Sequence, residues 1–167
     1  MRCNLRCSRT MLWMMVLAML TLTHAGAQVL TADQVKKVAP VSFFFAGQSA
    51  TVQMRNTAGV KNSAGKFVLA GLVDTAGYST AIAQKYQGFL ITETQLRFDG
   101  AILDAGAYGF GFKDGKFIVM NVASTDLFSI ASQNDNQLKH PVPLKIEKDG
   151  AGYRLYAGRN YVVVKAD

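Results

Sequence analysis

Ala107-Tyr-Gly-Phe-Gly-Phe-Lys113, Asp114-Gly115 and Lys116-Phe-Ile-Val-Met-Asn-Val122 read as two strands and the turn between them. Asp-Gly at the centre suits a two-residue type I′ turn, because Gly accepts positive φ freely and Asp nearly so. Such a turn fixes the register. Lys113 faces Lys116, Phe112 faces Phe117, Gly111 faces Ile118, Phe110 faces Val119, Gly109 faces Met120 and Tyr108 faces Asn121. Side chains alternate between the two faces of a strand. One face therefore gathers Phe110, Phe112, Phe117 and Val119, and the other sets Gly109 and Gly111 beside Ile118 and Met120. With both faces apolar, the hairpin is either central and covered on both sides, or it leaves its glycine side for a ligand. Glycine inside a strand marks close approach of a ligand or another backbone, so Gly109, Gly111 and Met120 are candidate ligand contacts.

The same period of two extends outward in both directions. Strands are expected at Val41–Ala46, Ala50–Arg55, Lys66–Val73, Phe89–Phe98, Val142–Lys148, Gly152–Ala157 and Asn160–Lys165. Gly47, Gly59, Asn62 with Gly65, Asp99-Gly100, Asp149-Gly150 and Gly158-Arg159 supply turns between them. Thr31-Ala-Asp-Gln34 has the form of a capping box and opens a short helix that must stop before Pro40. Helical turns are also expected at Thr80–Gln87 and at Asp126–Ser132, the second following Ser124 or Thr125. Closely spaced strands with turn signals define a single all-β domain over residues 28–167, an antiparallel β-sandwich, with a closed β-barrel as the alternative.

The last hairpin supplies a second candidate surface. Gly158-Arg159 suits a type II′ turn and sets Leu155 opposite Val162 and Tyr153 opposite Val164 on a core face. The other face carries Tyr156 beside Tyr161, and Arg154 beside Val163. Rings that stack, with a hydroxyl or guanidinium that hydrogen-bonds, suit sugar and peptide ligands. Arg154, Tyr156 and Tyr161 are the candidate binding residues here; a plain cross-strand tyrosine pair is the structural alternative.

Residues 1–27 have the three parts of a secretory signal: Arg2, Arg6 and Arg9, then an apolar run from Met11 to Leu20, then Ala25-Gly26-Ala27 as the cleavage site. The expected mature chain starts at Gln28 and acts in the periplasm or outside the cell. The apolar run is shorter than the roughly 20 residues that span a bilayer, so no membrane span remains after cleavage. Cleavage removes three of the 18 basic residues and none of the 11 acidic ones, leaving a net charge of +4 in place of +7. It also removes Cys3, Cys7 and Trp13. The remaining cations are scattered, which speaks against nucleic acid.

No catalytic or metal constellation emerges, and no cofactor is expected. His140 is the single histidine after Gln28 and lies in a loop before a strand, and no cysteine accompanies it. Ser63-Ala-Gly-Lys66 matches S-x-x-K, but that chemistry needs a helical turn where Gly65 and a strand follow. Glu93 and Glu147 are the only glutamates and lack the paired placement of a glycosidase. Asn134-Asp135-Asn136 lacks the spacing of a calcium loop. Gly106, Gly109 and Gly111 do not fit a phosphate-binding motif. The polar stretch from Ser124 to His140 reads as a long loop, a common place for function.

Leu103-Asp-Ala-Gly-Ala-Tyr108-Gly-Phe110 resembles the L-x-A-G-x-Y strand opening of exported bacterial β-sandwich proteins of the DUF2911 type. The preceding Leu96-Arg-Phe-Asp-Gly100 and the following Phe117–Val122 fit the same setting. The resemblance implies a sandwich and no activity. The expected function is a non-catalytic module binding a small molecule, glycan or protein partner. The alternatives are an envelope assembly factor pairing through a sheet edge, a hydrolase using His140 or Glu93, and an outer-membrane barrel, for which the strands are too apolar on both faces.

Overall fold

The structure is a computed structural model that describes residues 27–166. The expected export signal, apart from Ala27, lies outside the described residues. Fourteen strands and two short helices follow one another: β1 (Gln28–Val29), α1 (Ala32–Val38), β2 (Ser42–Phe45), β3 (Gln48–Lys61), β4 (Phe67–Val73), α2 (Thr80–Ala83), β5 (Gly88–Thr92), β6 (Leu96–Phe98), β7 (Ala101–Leu103), β8 (Gly106–Lys113), β9 (Lys116–Met120), β10 (Asp126–Ala131), β11 (Gln133–Asn134), β12 (Val142–Asp149), β13 (Gly152–Gly158) and β14 (Asn160–Ala166). They form two antiparallel sheets rather than a closed barrel. The first runs β1-β3-β4-β5-β8-β9-β10, with β2 also on β3. The second runs β12-β13-β14-β6-β7, with β11 also on β14.

The β8–β9 hairpin has the register its turn demands, from Lys113↔Lys116 to Gly109↔Met120. Asp114 and Gly115 both take positive φ, 52° and 71°. The ladder ends one pair short of Tyr108 and Asn121, because Asn121 leaves the strand. Its side-chain Oδ1 accepts from the N–H of Ala123 and of Thr125, both at 3.0 Å. That closes a tight turn into β10. Of residues 126–132, expected as a helical turn, Asp126–Ala131 are instead a strand paired along β9. The stretch from Ser124 to His140 thus contains β10 and β11 and is not a continuous loop.

Two further boundaries differ for packing reasons. Gly59, expected in a turn, lies inside β3, where a Cβ would come within 2.7 Å of Leu69 Cδ2. The expected strand Phe89–Phe98 divides at Thr92, whose hydroxyl donates to the Thr94 carbonyl. At that point the chain passes from the first sheet to the second.

The first sheet is the middle of three layers. Phe110, Phe112, Phe117 and Val119 face the second sheet, meeting Phe98, Leu144, Ile146, Tyr153, Leu155, Val162 and Val164. Neighbouring phenylalanine rings there are 5.0 to 6.4 Å apart. Such pairs each add about 0.5–1.5 kcal/mol beyond burial. The opposite face of the sheet packs Leu69, Val73, Phe89 and Met120 against Val35, Phe43, Phe45, Tyr78 and Tyr86. This second core is closed by α1, β2 and the segment around α2. Thr31 caps α1 through both arms of the capping box. Among the described residues, no helix is long and apolar enough to cross a membrane.

Tyr108 explains the A-G-x-Y run in physical terms. Its hydroxyl donates to the Asp104 carbonyl at 3.0 Å. Its ring lies over Gly106, where a Cβ would sit 2.7 Å from the hydroxyl oxygen. Gly106 therefore leaves room for the tyrosine that closes the β7–β8 turn.

Candidate binding groove

The glycine face is not a ligand floor. A Cβ at Gly109 would lie 2.3 Å from Phe45 Cε2, and one at Gly111 would lie 2.1 Å from the Lys85 carbonyl oxygen. Met120 is fully buried. The Phe45 ring is itself stacked on Tyr86, with centroids 3.8 Å apart. Gln87 fixes the segment after α2 to β8. Its N–H donates to the Phe110 carbonyl, its Nε2 donates to the Phe112 carbonyl, and its Oε1 accepts from the Phe112 N–H. Gly109, Gly111 and Met120, candidate ligand contacts by sequence, are therefore covered by protein, because two glycines let an aromatic ring and a backbone carbonyl seat directly on the sheet.

The last hairpin does open onto a groove. Its register holds as expected, with Tyr156↔Tyr161 and Arg154↔Val163. The groove has a volume of about 610 Å³ and is lined by Asn134–Lys139 on one side and by Arg154 and Tyr161 on the other. Tyr156 does not reach it. That side chain is 1 % exposed, with Lys145 Nζ 4.5 Å from its ring centroid and the Tyr161 ring 5.0 Å away. Tyr156, expected as a ligand contact, is instead the buried support of Tyr161.

The components of the groove hold one another in place. Arg154 lies over the Tyr161 ring at 4.9 Å, and its Nε donates to Asp149 Oδ2 at 2.9 Å. Contact with Tyr156, and then with Asp149, raises the proton affinity of this guanidinium, so it stays cationic. The Tyr161 hydroxyl donates to Gln133 Oε1 at 2.6 Å, and the Tyr156 hydroxyl donates to Asp135 Oδ2 at 3.3 Å. The far wall is folded around a residue that sequence reading treated only as turn material. Arg159 Nη1 donates to the carbonyls of Asp135, Asn136 and Leu138, while the Arg159 carbonyl accepts from the Asp135 N–H. Nothing periodic announces that role, since it depends on where a distant loop returns.

The other candidates lie apart from this groove. Glu93 accepts from the Phe67 N–H at 2.8 Å and caps the start of β4. His140 is exposed and does not line the groove. Asp135 is the one carboxylate among the described residues that line it. One of its oxygens accepts from the Gln137 N–H and the other from Tyr156. The arrangement offers amide groups, a tyrosine and a fixed cation to a polar ligand. No family model, curated protein or solved structure matches the chain.

Proposed function

We propose that the protein is an exported, non-catalytic binding module whose groove between Asn134–Lys139 and Arg154/Tyr161 takes a polar small molecule or glycan. The observation that carries this reading is the lining: Asn134, Asn136, Gln137, Lys139, Arg154 and Tyr161 converge on about 610 Å³ of open space. Amide and guanidinium groups recognise hydroxyls and carboxylates by directed hydrogen bonds, those to charged groups being the stronger. The Arg159 clamp supports the reading further, because a wall already ordered loses little conformational entropy on binding. The signal-like pattern of residues 1–27 supports a location for this activity in the periplasm or outside the cell.

The reading is tested by titrating neutral and acidic oligosaccharides into isotopically labelled protein and following backbone amide shifts. Shifts should concentrate at residues 134–139, 154 and 161. Arg154→Ala should weaken binding by roughly 1.5–3 kcal/mol, the range for a hydrogen bond to a charged group. Silence of those amides across both ligand classes would reject the proposal. N-terminal sequencing of protein from the envelope should begin at Gln28; an intact Met1 would reject export by cleavage.

A further inference from the structure

Strand β10 is the outer strand of the first sheet and pairs, among the described residues, with β9 alone. Its sequence from Leu127 to Ala131 is Leu-Phe-Ser-Ile-Ala, without charge, proline or glycine. Sheet edges of this kind invite pairing with another strand, and proteins ordinarily blunt them with charges or proline. The long edge strand of the second sheet is blunted in that way: β12 carries Pro143, Lys145, Glu147, Lys148 and Asp149. β10 has one protective feature, a bulge between Asp126 and Phe128, which leaves Phe128–Ala131 as the flat stretch.

The hydrogen-bonding phase shows which groups the edge offers. A two-residue turn makes Lys113 and Lys116 a hydrogen-bonded pair. Lys116, Ile118 and Met120 thus direct their backbone groups to β8, and Phe117 and Val119 direct theirs to β10. Phe117 pairs with Ile130 and Val119 with Phe128. The Ser132 N–H donates to the Gly115 carbonyl at 2.8 Å in the same phase. The N–H and C=O groups of Ser129 and Ala131 accordingly point away from β9, toward the open edge. The side chains of Ser129 and Ala131 are exposed, while Phe128 and Ile130 pack against the main core.

We infer that β10 is the pairing edge of a homodimer, antiparallel to β10 of a second copy, with the two-fold axis at Ser129. The sequence is self-complementary about that residue. Phe128 falls opposite the second copy's Ile130, an aromatic–β-branched pairing that stabilises sheets. Ser129 meets its own equivalent in a hydrogen-bonded pair. Asp126 lies beyond the flat stretch and is paired with Lys85, so no like charges meet. The contact is isologous and closes after two copies, which prevents growth into fibres.

Sedimentation equilibrium of the purified protein tests this. Wild type should show a concentration-dependent dimer. Ser129→Lys and Ser129→Asp each place like charges face to face on the axis and should raise the dimer dissociation constant by at least about tenfold. An equimolar mixture of the two variants should restore the dimer, which loss of folding could not do. If either variant fails to fold, Ser129→Cys with Cys3 and Cys7 replaced by Ser supplies the readout. Cα atoms of a hydrogen-bonded pair lie about 5.5 Å apart, so a short bismaleimide, which spans the gap between the two thiols, should give a covalent dimer. A wild-type protein that remains monomeric at high concentration overturns the inference. So does a dimer that Ser129→Lys leaves unchanged, or a Ser129→Cys protein that does not cross-link.

Discussion

Gly111→Ala should be among the most damaging one-methyl changes in this protein. The added Cβ would lie 2.1 Å from the Lys85 carbonyl oxygen and 2.9 Å from its carbon. Favourable heavy-atom contacts sit near 3.5 Å, so the Lys85 backbone must retreat by roughly 1 Å or more. It cannot do so freely, because Gln87, two residues on, makes three hydrogen bonds to Phe110 and Phe112 at 2.8 to 3.0 Å. Each bond stretched or broken inside a core costs about 1–3 kcal/mol when a group is left unpaired. Overpacking alone costs about 1–3 kcal/mol. A total of about 3 kcal/mol is expected, a large share of the 5–15 kcal/mol that typically separates folded from unfolded states. For a domain of this size it lowers Tm by on the order of 10 °C. Urea denaturation followed by fluorescence measures it as a fall in midpoint at unchanged slope. Gly115→Ala is the reference. Nothing lies within 4 Å of its Cβ, and the only strain is φ of +71°, worth about 1–2 kcal/mol. A Gly111→Ala protein within about 0.5 kcal/mol of wild type would show that the Lys85–Gln87 segment is not seated on the sheet.

Two further outcomes follow from the buried tyrosines. The Tyr153 hydroxyl is buried without a hydrogen-bond partner among the described residues, so Tyr153→Phe should leave stability equal or raise it by up to about 1 kcal/mol; a loss above that in urea denaturation rejects the assignment. Burial raises the pKa of Tyr78, Tyr86, Tyr108 and Tyr153 above the ordinary phenol value of 10.0, most strongly at Tyr86. The folded chain then keeps protons that the unfolded chain releases, so this stabilisation is complete below about pH 10 and declines as pH rises further. Thermal melts between neutral and strongly alkaline pH should show that decline, and Tyr86→Phe should flatten it; equal slopes in the two proteins refute the cause.

Periodicity and turn chemistry made much of this fold legible. Asp114-Gly115 and Gly158-Arg159 fixed two registers residue by residue, and the capping box at Thr31 located α1. Those signals are local, since a turn type dictates its own flanking pairs. What escaped was decided at a distance. The stretch Asp126-Leu-Phe-Ser-Ile-Ala131 carries apolar residues at spacings that suit a helical turn after Ser124 as well as a strand. Asn121, expected within the strand opposite Tyr108, instead uses its side chain to close a turn. Gly59 was misplaced for a related reason. A glycine needed for close packing against Leu69 and Leu30 looks, in sequence, like a glycine needed for a turn.

The candidate site divides along the same line. Cross-strand register brought Arg154, Tyr156 and Tyr161 together on paper and in the fold. It could not tell which of them faces solvent. The tyrosine pair sits between two cations, Lys145 at Tyr156 and Arg154 at Tyr161. Asp135 and Gln133 take up the hydroxyls from the returning chain. Tyr156 lies beneath this arrangement, and Arg154 and Tyr161 remain at its margin. The groove therefore owes its shape to Arg159, whose guanidinium holds the carbonyls of Asp135, Asn136 and Leu138 in one curve. If the groove binds as proposed, neutralising Arg154 removes a ligand contact, whereas neutralising Arg159 leaves three carbonyls without their common donor and releases the wall itself. On the proposed reading, recognition and preorganisation thus reside in two arginines five positions apart, Arg154 within β13 and Arg159 in the turn that follows it.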